Sequence, residues 1–162
     1  MESSKSKRIR VETLVKGSLH KVWDYFTDPG HITGWYFATD TWHAPKALND
    51  LRTDGKFTIT MEAKDGSASF DFCGVYSDVA PFKKIDYELA DGRKVSIRFI
   101  ETENGILVSE DFDPESVNSE ERQRSGWQSI LDNFKKYAEN SKKLKYEKER
   151  LCCTFRYACT EP

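Results

Sequence analysis

The segment "ERQRSGWQSILDNFKKY", residues 121 to 137, carries Trp127, Ile130, Leu131, Phe134 and Tyr137 at intervals of three and four. That spacing predicts a helix with one large apolar face, because residues three and four apart lie on the same side of a helix. Asn118 followed by Glu121 fits a capping box at its start. A helix with this much apolar surface must be covered, and the elements that precede it have to supply the cover.

Those elements read as strands. "GKFTITMEA" puts Phe57, Ile59 and Met61 on one face and Lys56, Thr58, Thr60 and Glu62 on the other. "KDG" at 64 to 66 turns the chain into "SASFDFCGVYSDV", which sends Phe70, Phe72, Gly74 and Tyr76 to one side. After Pro81, "KKIDYEL", the turn "DGR", "KVSIRFI", a turn at Asn104 and Gly105, and "ILVSEDFD" continue an antiparallel meander. Upstream, "RIRVETLVK" alternates as a half-buried strand, and Ser18 can cap a short helix with Val22, Trp23 and Phe26 on one face. Asp28 caps a second short helix extending to Trp35, and residues 42 to 50 read as a loop containing Trp42, Pro45 and Asp50.

Strand, two short helices, a meander and one long helix define an α+β chain. A curved antiparallel sheet of about six strands would wrap around the C-terminal helix. One domain over 8–145 is expected, with an N-terminal tail at 1–7 and an extension at 146–162 that need not be ordered. A chain of 162 residues is long enough to bury one sizeable core.

Charge narrows the function. A net charge of −2 with no concentrated basic face argues against nucleic acid as a partner. No apolar run reaches the roughly 20 residues of a membrane span, and no apolar segment follows the basic N-terminus as in a secretory signal. Four cysteines, three of them in "CCTFRYACTEP", show neither a disulfide framework nor metal-knuckle spacing, so the cytosol is the expected compartment.

Catalytic and metal constellations are weakly represented. His20, His31 and His43 lack the local context of a nucleophile and base, and His31, His43 and Asp50 have no ligand spacing behind them. Asp111, Asp113 and Glu115 read as a solvated turn leading into the last helix. No phosphate-binding glycine loop is present, and neither a catalytic residue, a metal nor a cofactor is assigned.

The segments "VWDYFTDP", "GWYFATDTW", "DLRTDGKFTITMEAKDG", "FDFCGVYSDVAPFKKIDYEL", "DGRKVSIRF", "FDPE" and "ERQRSGWQSILDNFKKY" occur in this order. Together they resemble the family related to the C-terminal domain of the heat shock protein 90 ATPase activator, within the superfamily of START lipid-transfer domains and the birch pollen allergen. The resemblance runs over roughly residues 8 to 140, and "DLRTDGKF" departs from the family's double glycine by having Asp54 before Gly55. It implies a helix-grip fold with an internal pocket, in which Gly126 lets the last helix approach the sheet closely.

The implied ligand is a hydrophobic or amphipathic small molecule, lipid-like or polycyclic aromatic. Candidate lining residues are Trp23, Phe26 and Trp35 from the helical segments, and Trp127, Leu131 and Phe134 from the last helix. The strands would add Phe57, Ile59, Met61, Phe70, Phe72 and Phe99, with Tyr36, Tyr87, Arg98 and His43 as polar accents. Two other functions stay open. One is a co-chaperone acting through its surface, as the family name suggests, although a first strand this near the start leads one to expect no preceding chaperone-binding domain. The other is an enzyme using the cavity, which requires a titratable group inside it.

Overall fold

A computed structural model describes residues 7–140. The expected extension at 146–162, with Cys152, Cys153 and Cys159, and most of the N-terminal tail lie outside the described residues. The element order is β1 (Ile9–Val15), α1 (Leu19–Thr27), α2 (Pro29–Ile32), β2 (Trp42–Asn49), β3 (Lys56–Ala63), β4 (Ser69–Ala80), β5 (Lys84–Leu89), β6 (Lys94–Thr102), β7 (Gly105–Phe112) and α3 (Glu120–Asn140). The strands form one antiparallel sheet in the order β1-β7-β6-β5-β4-β3-β2.

Alternation decides which face each strand buries. Ile9, Val11, Thr13 and Val15 point inward from β1, and Phe57, Ile59, Met61 and Ala63 do the same from β3. Gly66, Gly92 and Gly105 occupy positive φ at three of the five hairpin connections, and Asp54 and Phe82 do so at the other two. The helix-grip class therefore holds, with seven strands. The seventh is β2, where the sequence reads as a loop. Pro45 and a register shift between His43 and Lys46 disrupt its alternation, yet it pairs with β3 along most of its length as an edge strand, where a proline is tolerated.

The helix ends also differ from expectation. Ser119, not Asn118, caps α3: its hydroxyl accepts from the Arg122 N–H at 3.2 Å. Asn118 instead donates its backbone N–H and its side-chain amide to Glu115. Regular helix in α2 stops at Ile32, and the chain reaches Trp35 through turns closed by Gly34 N–H to His31 O and Trp35 N–H to Ile32 O. Gly126 has open space around it, since a Cβ there would meet nothing within 4 Å. It is not the point of close approach.

Helix α3 is held on the β1 side of the sheet. Gln128 donates to Glu12 O at 3.0 Å and accepts from Glu12 N–H at 3.4 Å. Glu139 accepts from the Lys16 N–H at 3.0 Å, and Lys135 donates to Leu14 O. These bonds occupy backbone groups of an edge strand that would otherwise invite another chain. Phe134, fully buried, meets Trp35 at 4.7 Å and Phe26 at 5.1 Å between ring centroids. Burial of a side chain this size contributes on the order of 2–3 kcal/mol. No described helix is long and apolar enough to cross a membrane.

Candidate functional site

On the inner sheet face, Val11, Glu110, Ile97 and Ile85 stand side by side across β1, β7, β6 and β5. All four are buried, and Glu110 is the one ionisable member of the row. It is 9% exposed and lines a cavity between the sheet and the α1–α2 segment. Burial pushes its carboxyl up to about 8, above the usual carboxylate range, with no compensating interaction.

The cavity has a volume of about 40 Å³. It can take roughly two or three water-sized groups. Phe26, Ile32, Trp35, Phe57 and Ile59 form much of its apolar wall. Tyr36, Asn49, Tyr76 and Tyr87 join Glu110 as its polar groups, with Thr27 beside them. Asn49 donates to Thr27 O at 2.7 Å and accepts from the Tyr76 hydroxyl at 2.6 Å, tying α1 to β2 and β4 at the cavity wall.

Tyr36 and Tyr87 differ from Tyr76. Burial raises both phenols well above their ordinary range, and proximity to Glu110 raises them further. Among the described residues no fully enclosed side-chain nitrogen or oxygen lacks a hydrogen bond. The Glu110 carboxyl and the Tyr36 and Tyr87 hydroxyls bond to no described protein group, so they keep their contact with the cavity. Three such groups, unpaired within the protein around one small space, have hydrogen-bonding capacity to offer a guest.

Tyr36 is placed by its neighbours on the chain. The Trp35 indole N–H donates to Tyr25 O at 3.0 Å, and Asn133 of α3 donates to Trp35 O at 2.9 Å and Phe37 O at 3.3 Å. Helix α3 thus positions the cavity's cover while contributing none of its lining residues.

Of the residues singled out in the sequence, Phe26, Trp35, Phe57 and Ile59 meet at this cavity. Trp23 and Phe99 pack on each other at 5.1 Å in the core, where Met61, Leu131 and Phe134 are also buried. Phe72 sits between Tyr36 and Trp127, and Phe70 is 50% exposed against Trp42 at the sheet end. Arg98 is bound to Asp86 at 2.6 Å, and His43 faces Glu62 at 3.7 Å, so neither reaches the cavity. Sequence reasoning missed Glu110, although the alternation Ile106, Val108, Glu110, Phe112 points it inward. Among the described residues no three His, Cys, Asp or Glu side chains gather as a metal set.

A seven-stranded antiparallel sheet closed by a C-terminal helix, with a buried carboxyl inside the grip, defines a helix-grip protein of the START-like kind. Residues 16–139 match the family described as activator of Hsp90 ATPase homolog 1-like proteins, and the chain belongs to it. A solution structure of an AHSA1-like protein from Aeromonas hydrophila is 37% identical, with a TM-score of 0.79, over 83% of this chain and 93% of that one. A protein from Cytophaga hutchinsonii is 49% identical, with a TM-score of 0.72, over 84% and 94% of the two chains. At 17% identity and a TM-score of 0.70, a Nitrosomonas europaea protein shares the fold over 89% of this chain and 99% of its own. No curated protein matches significantly.

Proposed function

We propose that the chain binds one small amphipathic molecule end-on in the grip, its polar end at Glu110, Tyr36 and Tyr87 and its apolar remainder along the aromatic wall. One observation carries this reading: three polar groups with no protein partner face a single cavity whose other walls are largely apolar. Small-molecule sites combine an apolar surface with a few placed polar groups in this way. The cavity is far smaller than the several hundred cubic ångströms of a drug-sized site, so the bulk of any larger ligand lies outside it.

Native mass spectrometry of the freshly purified protein, followed by amide chemical-shift titration with fatty acids, sterols and polycyclic aromatics, tests this reading. A retained mass, or shifts centred on Tyr36, Tyr87 and Glu110, supports it. Shifts confined to the outer face would refute it. The family's description favours a second reading, contact with an Hsp90-type chaperone through the outer surface. Calorimetry with purified Hsp90 separates the two, because a Glu110→Gln change would leave surface docking intact.

A further inference from the structure

The geometry points to a ligand whose polar end is cationic, a primary ammonium group seated among the Glu110 carboxyl and the Tyr36 and Tyr87 hydroxyl oxygens. This inference rests on the binding reading above and narrows it to one chemical class.

Three features favour a cation. Glu110 is more than nine-tenths buried, faces the cavity and has no protein partner among the described residues. The lining holds no Lys, Arg or His that could neutralise it, and the nearby cations are engaged elsewhere, Arg98 with Asp86 and Arg93 with Asp91. Aromatic rings of Phe26, Trp35 and Phe57 surround the same space, and their π faces attract positive charge.

The charge on Glu110 discriminates among guests. An ammonium has three N–H donors, which the carboxylate and phenol oxygens of the lining can accept. An anionic guest would stand beside Glu110 with no cation to offset the repulsion. The cavity volume of about 40 Å³ suits a compact head group with its stem directed outward.

Binding of this kind moves one proton. Burial keeps the Glu110 carboxyl largely protonated at neutral pH, while an alkylamine is already charged. The bound pair is ammonium and carboxylate, so the carboxyl O–H bond breaks and the proton passes to solvent. The titratable groups facing Glu110 are Tyr36 from the segment after α2, Tyr76 from β4 and Tyr87 from β5; Arg93 acts on Tyr87. Phe26 and Thr27 of α1, Asn49 of β2 and Ile97 of β6 complete the surroundings without titrating, and β1 presents Val11 beside it. The phenols stay neutral across this range because all are raised.

The test compares n-hexylamine with n-hexanol, which share a stem and differ in the head. Titrations of the full chain follow amide shifts and the ¹³Cδ resonance of labelled Glu110. The expected result is a hexylamine Kd that falls by up to about tenfold per pH unit from pH 6 to 8 and then levels, as release of one proton requires. Glu110 should become a carboxylate on amine addition at pH 7. Glu110→Gln should abolish the preference for amine over alcohol while hexanol still binds. Equal affinity for the two probes with no pH dependence, or amine binding untouched in Glu110→Gln, overturns the cation inference and leaves the binding reading standing. Interior amides unmoved by either probe overturn both. The ¹³Cδ readout on the unaltered chain decides the matter should the variant fold poorly.

Discussion

The Trp127 indole lies flat on the Phe112 ring, centroids 4.0 Å apart with 12° between planes. Phe112 ends β7 and is fully buried, whereas Trp127 belongs to the first half of α3 and is only partly covered. The stack therefore ties the first half of α3 to the end of β7, and Phe72 adds an edge contact at 6.2 Å. Full truncation of a buried Trp costs about 3–5 kcal/mol, and an aromatic pair contributes about 1 kcal/mol beyond its area. For this half-covered indole, Trp127→Ala is expected to cost about 2–3 kcal/mol, and Trp127→Phe about 1 kcal/mol. Urea denaturation of both variants measures the difference.

Gly126 sits one residue before that stack, inside the helix, with room for a methyl group. A glycine in a helix interior weakens it by about 1 kcal/mol relative to alanine. Gly126→Ala should therefore raise stability by roughly 0.5–1 kcal/mol, with an unchanged denaturant slope. Loss of stability in a thermal melt would mean that α3 approaches a neighbour at this point after all.

The Asp54–Gly55 pair makes opposite demands. Asp54 has φ 67°, a left-handed conformation that costs an L-residue energy, though aspartate tolerates it better than most. A Cβ on Gly55 would lie 2.0 Å from Asp50 O, closer than atoms can approach. Asp54→Gly is expected to stabilise by about 0.5 kcal/mol, and Gly55→Ala to destabilise by about 3 kcal/mol. Chemical denaturation of the two single variants should give shifts of opposite sign.

The limits of the sequence reading follow from what periodicity can carry. A period of two assigns a side chain to a sheet face, and it placed Phe57, Ile59, Met61 and Phe70 together. It does not say what covers that face, so Phe70, beyond the reach of α3, looks the same as Phe57 in the pattern. Strand β2 escaped because an edge strand with a bulge at Pro45 needs no alternation. Glu110 was hidden differently. It stands among Asp111, Asp113 and Glu115, where acidic residues suggest a solvated turn, and only the parity of β7 separates the buried carboxyl from its half-buried neighbours.

That carboxyl makes stability depend on pH with a definite sign. Its folded pKa of about 8 exceeds the ordinary value of 4.5, so between those pH values the folded chain binds more protons than the unfolded one. Stability contributed by Glu110 is thus fully present below about pH 4.5, declines as pH rises, and is lost by about pH 8. Glu110→Gln keeps the shape and hydrogen-bonding capacity of the protonated form and removes the titration. The variant should match the parent near pH 4 and exceed it at pH 8 by on the order of 3 kcal/mol, allowing for relaxation around the charge. Urea titrations at half-unit pH steps would show two curves diverging above about pH 4.5. Parallel curves would mean that Glu110 is ionised in the folded protein throughout, with its charge compensated by a route the cavity does not reveal.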